Sequence, residues 1–179
     1  MPTDKKIIEC VPNFSEGRNL DIIDKIASAV KSTQNVKLLN VEPDKDYNRT
    51  VITFAGEPSG VKEAAFNAIS TASELIDMSR QKGEHPRIGA TDVCPIIPVA
   101  NATREECVKL ANELGSEVGE KLGIPVYLYE DAARSEERRN LENIRKGEYE
   151  GLEQKLRDWI PDYGPAEYND KVRKSGATV

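Results

Sequence analysis

Apolar positions along the chain switch between two spacings, and the switches mark out its elements. The run KIIECV, Lys6 to Val11, is rich in isoleucine and valine and closes at Pro12, which predicts a strand. In SEGRNLDIIDKIASAVKS, residues Leu20, Ile23, Ile26, Ala27 and Val30 recur every three or four positions and predict an amphipathic helix. NVKLLNVEPD predicts a second strand, ended by Pro43 and Asp44, and the alternating NRTVITFAG predicts a third. The short connection DKDYN makes those two a hairpin. Pro58 opens a long helical pattern whose proline suits the first turn and whose alanines suit the interior. VCPIIPVA is apolar and β-branched, but Pro95 and Pro98 restrict it to an edge or bulged strand. Thr103 and Glu106 form a capping box ahead of a helix through GEKLG. IPVYLYED predicts another strand, SEERRNLENIRKGEYEGLEQKLRDW a charged and mostly helical stretch, and the Pro- and Gly-rich residues after it a loop.

Strand, helix, strand, strand, helix, strand is the order of a ferredoxin-like split βαβ sandwich, here extended by an extra strand and helices. The expectation is an α+β fold and a single domain over residues 1–179, with a flexible loop from 163 to 179.

Composition narrows the function classes. A formal charge of −6 argues against a nucleic-acid binder, which needs surplus Lys and Arg to meet phosphates. No apolar run reaches the roughly 20 residues of a membrane helix. The N-terminus lacks the apolar stretch of a signal peptide, so a cytoplasmic location and no membrane contact are expected. Cys10, Cys94 and Cys107 have no metal-ligand spacing and read as free thiols in a reducing compartment. One histidine and three scattered cysteines do not make up a zinc ligand set, so no metal is expected.

That one histidine lies in RQKGEHPRIGATDV. An arbitrary lone histidine is more often a surface or packing residue than a working one. Here Pro86 biases His85 toward extended backbone, and Gly83 and Gly89 let the loop turn sharply and approach a ligand. An imidazole near its reference pKa both accepts and donates a proton at neutral pH. Three polar segments can serve it, and each has a plain structural alternative. Glu42 can orient the imidazole, or NVEPDKDYNRTV, with Asn48 and Arg49, can be turn chemistry alone. Asn13 and Ser15 can line a ligand site after the first strand, or one of them can cap the next helix. The tail, with Tyr163, Tyr168, Lys171, Arg173 and Lys174, can be a mobile flap over a flat ligand or a disordered end.

Five stretches carry a resemblance: ECVPNFSEG, NRTVITFAGEP, ASELIDMSRQKGEHPRIGATDVCPIIPV, IPVYLYEDAA and DWIPDYGP with the closing GATV. Together they resemble the N-terminal subdomain of the glutamate formimidoyltransferase family, over nearly the whole chain and in order. The resemblance implies transfer of a formimidoyl group from N-formimidoyl-L-glutamate to N5 of tetrahydrofolate in histidine degradation, with folate as acceptor substrate and no metal. It places the catalytic histidine at His85 and an assisting acid at Glu42, where the animal members have aspartate. It places the folate-contacting loop at Gly164 to Gly176, including Pro165 and Tyr168. Asn13, Asn48, Arg49 and Arg87 are further substrate-binding candidates, the arginines on charge alone; Arg87 can equally brace the loop. The family continues into a second subdomain with folate in the cleft between the two, so a C-terminal subdomain in cis or in trans is the implied partner. The alternative is a non-catalytic half-domain that binds folate or a protein partner. The exposed half-cleft favours self-association into a homo-oligomer.

Overall fold

A computed structural model describes residues 5–179. It is a mixed helix-and-strand, α+β structure built on one antiparallel sheet. The strands are β1 (Ile7–Cys10), β2 (Asn13–Phe14), β3 (Val36–Asp44), β4 (Arg49–Gly56), β5 (Thr91–Val93) and β6 (Ile96–Ala100). β1 and β2 are a single course broken at Val11 and Pro12, and both pair with β4, Cys10 opposite Phe54 and Asn13 opposite Val51. β5 and β6 are likewise one course broken at Cys94 and Pro95, lying on the other side of β2 and β1. β3 pairs with the free side of β4 as the expected hairpin. The prolines sit at the breaks because they cannot donate to a ladder, yet they still accept: Ile52 N–H bonds Pro12 O at 3.0 Å and Val11 N–H bonds Pro95 O at 3.3 Å.

One face of the sheet is covered. Ile8, Cys10, Phe14, Ile52 and Phe54 alternate along their strands and are all buried. Against them lie α1 (Leu20–Lys31), through Ile23, Ile26, Ala27 and Val30, and α2 (Pro58–Leu75), through Val61, Ala64, Ala65, Ala68 and Ile69. Each large aliphatic in this layer contributes about 1.5–3 kcal/mol by leaving water. The cap of α1 is Asn19, whose side chain accepts from the N–H groups of Asp21 and Ile22; neither Ser15 nor Asn13 serves there. The opposite face, which carries Arg49, Val51 and Ile97, is left open: Ile97 is 40% and Val99 59% exposed.

The capping box forms as expected at the start of α3 (Arg104–Glu117), with Thr103 and Glu106 bonding reciprocally, and a π turn follows to Gly123. Beyond this point two expectations need correction. Residues 124–131 are not a strand. Their backbone groups are shared among separate partners: Val126 N–H to Tyr163 O, Tyr127 N–H to Thr178 O and Leu128 N–H to the Asp162 carboxylate, so only isolated bridges form. The charged stretch is mostly helical as expected, in three short pieces, α4 (Glu136–Arg139), α5 (Leu141–Arg145) and α6 (Leu152–Asp158), with Gly147 and Glu148 at positive φ between the last two. The tail is not loop throughout. Asn169 caps a helix α7 (Asp170–Ser175), and residues 175–179 are buried. They run beside 88–94, with Ala90 N–H to Ser175 O at 2.7 Å, Ala177 N–H to Ile88 O at 3.1 Å and Cys94 N–H to Val179 O at 2.8 Å. A second core of Ile88, Tyr127, Ile144, Leu152, Leu156, Val172 and Val179 fills the space beneath, and the histidine loop is seated on it.

Candidate active site

The loop between α2 and β5 is held on both sides of His85. On the N-terminal side, Asn48 takes a left-handed conformation, φ 50°, in the hairpin turn. Its buried amide accepts from Gly17 N–H at 2.9 Å and donates to Lys82 O at 2.9 Å. Gly83 crosses this turn so closely that a Cβ on it would sit 2.3 Å from Tyr47 O. On the C-terminal side, Arg87 is buried and fully engaged: Nε donates to Gln81 at 2.8 Å, and the two Nη groups fork onto Glu150 at 2.7 and 2.8 Å and reach Glu148 at 3.1 Å. Asp92 then accepts from Ile88 N–H at 3.0 Å and pairs with Arg145. The loop is therefore a braced projection and not a floppy connection.

His85 is half-buried at its tip. Nε2 meets Arg49 Nη1, and Nδ1 lies 2.5 Å from Pro86 O. A guanidinium only donates and a carbonyl only accepts, so Nδ1 carries the proton and Nε2 presents its lone pair. The ring is neutral. Burial pushes its pKa below the ordinary 6.5 and the Arg49 charge adds to that, against smaller opposing effects from Pro86 O and Asp92. Tyr47 stands edge-on, ring centres 6.1 Å apart. Ser15, Asn48, Gln81, Arg87 and Asp92 line the remainder of a shallow polar recess.

The structure assembles only part of the expected set. Arg49 and Asn48 meet the His85 loop directly. Glu42 does not: it lies exposed on β3 opposite Val51 and makes no hydrogen bond or ion pair with His85 among the described residues. The carboxylate whose field reaches the imidazole is Asp92, one of the most buried acids present, its own pKa raised by burial against the pull of Arg145. Arg87, offered on charge as a carboxylate ligand, spends its donors bracing the loop. Asn13 pairs with Val51 and with Val93, which is buried in the second core, and its amide donates to Val11 O at 3.0 Å. Gly176, φ 69°, bridges to Gly89 four residues past His85, and a Cβ on Gly89 would fall 2.0 Å from Ala177 O. Tyr168 is linked less directly, through Tyr149 OH at 3.3 Å, whose N–H holds Arg87 O at 2.8 Å. Gly164 instead packs against Ile124 and Gly119, with Pro165 beside it, and the structure gives neither a contact to the histidine loop.

Asp92 and Arg145 had no local signal. One is the middle residue of a three-residue strand and the other sits in a charged helical stretch, and only the fold joins them. Among the described residues no cluster of three or more His, Cys, Asp or Glu is arranged to hold a metal, and no helix is long and apolar enough to cross a membrane. A cavity of about 330 Å³ lies elsewhere, between the β5–β6 break, α3 and residues 126–132.

The sequence profile of the formiminotransferase domain, N-terminal subdomain, matches residues 7–179. A formimidoyltransferase-cyclodeaminase of Dictyostelium discoideum is 52% identical over 176 residues, which is 97% of this chain and 32% of that protein. A glutamate formimidoyltransferase of Streptococcus pyogenes is 48% identical over 161 residues, 89% of this chain and 54% of that protein. Another, from Thermoplasma acidophilum, is 47% identical over 177 residues, 97% of this chain and 57% of that protein. The chain thus spans about a third of the length of the fused relatives and a little over half of the others.

Proposed function

The chain belongs to the formiminotransferase family, N-terminal subdomain, and from that membership we propose that it supplies the proton-transfer half of a formimidoyl-transfer site. The donor is N-formimidoyl-L-glutamate, the acceptor is N5 of tetrahydrofolate, and the reaction is a step of histidine degradation in the cytoplasm. The observation that carries the reading is the state of the one histidine: neutral, reachable from solvent, its Nε2 lone pair facing an arginine that has no carboxylate partner among the described residues.

The folate N5 attacks the amidine carbon of the donor, and a tetrahedral intermediate forms. His85 Nε2 takes the proton that N5 sheds. It returns that proton to the glutamate nitrogen as the carbon–nitrogen bond breaks, and formimidoyl-folate and glutamate leave. General acid–base help of this kind is typically worth about 10²–10⁴-fold, and holding both substrates in register contributes at least as much. Before the transfer Arg49 must leave Nε2. A substrate carboxylate is the stronger acceptor, so its arrival draws the guanidinium away and uncovers the base as the donor is seated. Glu42 stays a candidate for a substrate contact from the open sheet face, and Asp92 is the acid that supports the imidazolium.

The course order 36–44, 49–56, 7–14, 91–100, antiparallel throughout, supports reading the sheet as the ferredoxin-like split βαβ unit. Its open face, bearing Arg49, Ile97 and Val99, is the wall we assign to a cleft closed by a C-terminal subdomain in cis or in trans. Alone, this half binds folate weakly and turns over little. The second reading, a half-domain that only binds, draws on that same incomplete wall. Formimidoyl transfer measured with the C-terminal subdomain present, for wild type and His85→Ala, decides between them. Turnover lost with folate binding kept supports the proposal, and turnover unchanged by His85→Ala overturns it.

A further inference from the structure

Cys10 and Cys94 present their sulfurs to each other at 3.5 Å. They sit on neighbouring courses of the sheet, Cys10 ending β1 and Cys94 in the break between β5 and β6. Cys10 is fully buried on the core side, whereas Cys94 keeps some exposure and lines the 330 Å³ cavity together with Tyr129, Leu114 and Thr178. That cavity lies away from His85. Thr178 is among its lining residues, and its hydroxyl is buried with no hydrogen-bond partner.

We propose that Cys10 and Cys94 are a redox-active dithiol, oxidised to a disulfide by a small uncharged peroxide that enters through this cavity. Cys94, as thiolate, attacks one peroxide oxygen. The O–O bond breaks, Cys94 becomes a sulfenic acid, and the other oxygen leaves as water after taking up a proton. Cys10 then attacks the Cys94 sulfur, the S–O bond breaks, a second water leaves with the Cys10 proton, and the S–S bond forms. Two thiols and one hydrogen peroxide give one disulfide and two waters, with two electrons moving from sulfur to oxygen. The order of events follows from access and environment. Cys10 has no opening of its own, and burial holds its thiol pKa well above the ordinary value, so it waits as the resolving thiol. Closing the bond needs the sulfurs to come from 3.5 Å to about 2.05 Å. Cys94 and Pro95 lie between β5 and β6, outside both strands, and that break is where the backbone can give that distance. Cys107 lines the same cavity, but among the described residues no sulfur contact is made by it, so it stays a thiol. None of this depends on the proposed transfer chemistry.

Reduced protein is exposed to hydrogen peroxide, its remaining thiols are alkylated in denaturant, and non-reduced peptides are weighed. The expected result is loss of two hydrogens, a peptide linking residues 10 and 94, and Cys107 recovered alkylated. Cys10→Ala leaves a sulfenic acid on Cys94 that dimedone traps, and Cys94→Ser abolishes both products. Oxidised glutathione, large and charged, gives the cross-link far more slowly than peroxide. Recovery of Cys10 and Cys94 as thiols, after a dose that fully oxidises a free cysteine peptide, overturns the proposal. So does a link that involves Cys107.

Discussion

Replacing Arg87 with methionine separates a brace from a substrate ligand. The change keeps most of the buried aliphatic stem and deletes every donor. The Gln81 bond at 2.8 Å is the one least shared with solvent, and its loss costs about 1 kcal/mol. The fork onto Glu150 and the contact to Glu148 involve carboxylates that are 65% and 43% exposed. Water takes over those acids when the arginine goes, so screening limits the two ion pairs together to about 1 kcal/mol. The total is about 2 kcal/mol, and for a domain of this size it lowers the melting temperature by about 4–8 °C. Calorimetry measures that directly. The loop that carries His85 loses its C-terminal anchor at the same time, so in transfer assays kcat falls while KM changes little. Arg87→Lys, with a single point charge and no fork, recovers only part of the loss. An Arg87→Met protein that melts within a degree of wild type and shows a raised KM at unchanged kcat refutes the bracing role and returns Arg87 to the substrate.

Three further outcomes follow from the same geometry. Arg49→Met removes the cation that faces Nε2, so the His85 pKa rises toward its ordinary value; the single imidazole signal of the NMR spectrum reports it, and a fall or no change counts against the assigned pair. Because the folded His85 pKa lies below the unfolded 6.5, the unfolded chain binds the proton first, and stability is lost as pH falls from about 6.5 through the folded value. Urea midpoints show this slope in wild type and a flatter one in His85→Gln, and equal slopes contradict it. Gly176→Ala forces a Cβ to within 2.3 Å of Ile88 O at φ 69°, whereas Gly123→Ala at φ 61° meets nothing nearer than 3.6 Å. The first costs more than the roughly 1–2 kcal/mol of left-handed strain that the second carries, and equal melting temperatures for the two variants would contradict the close crossing of the tail over the histidine loop.

What could be read from the sequence was what each segment decides for itself. The α1 stripe, the Thr103–Glu106 box, Pro58 and the β3–β4 hairpin each carry a complete local signal, and all formed where expected. Residues 124–131 failed because their backbone partners come from two distant stretches, a pattern no periodicity encodes. The tail misled for the opposite reason: its Pro and Gly content is that of a loop, yet Gly176 is there because the backbone crosses Gly89 too closely for any side chain. Glu42 shows a limit of another kind. Strand parity puts it on the open face with Arg49 and Val51, but the register leaves it two steps along the ladder from Arg49. The acid directly opposite Arg49 is Asp44, whose carboxylate is taken by the N–H groups of Asp46 and Tyr47 in the turn. The imidazole therefore looks to Asp92, from its own loop's far end.

The pairing of Arg49 with His85 then gives the site its logic. A base whose lone pair is covered by a guanidinium cannot take a proton, and a guanidinium held by a neutral nitrogen is weakly held, since that nitrogen offers far less than a carboxylate. The two groups keep each other idle without any buried charge being left unmatched, because Arg49 remains in reach of water on the open sheet face. In the proposed reaction a dicarboxylate donor resolves the pair in one direction only. It offers Arg49 a better acceptor, and it brings the nitrogen whose proton traffic Nε2 must handle. Under that proposal the arrival that seats the substrate also switches on the base, and the braces at Asn48, Arg87 and Asp92 keep the imidazole in place while its partner leaves.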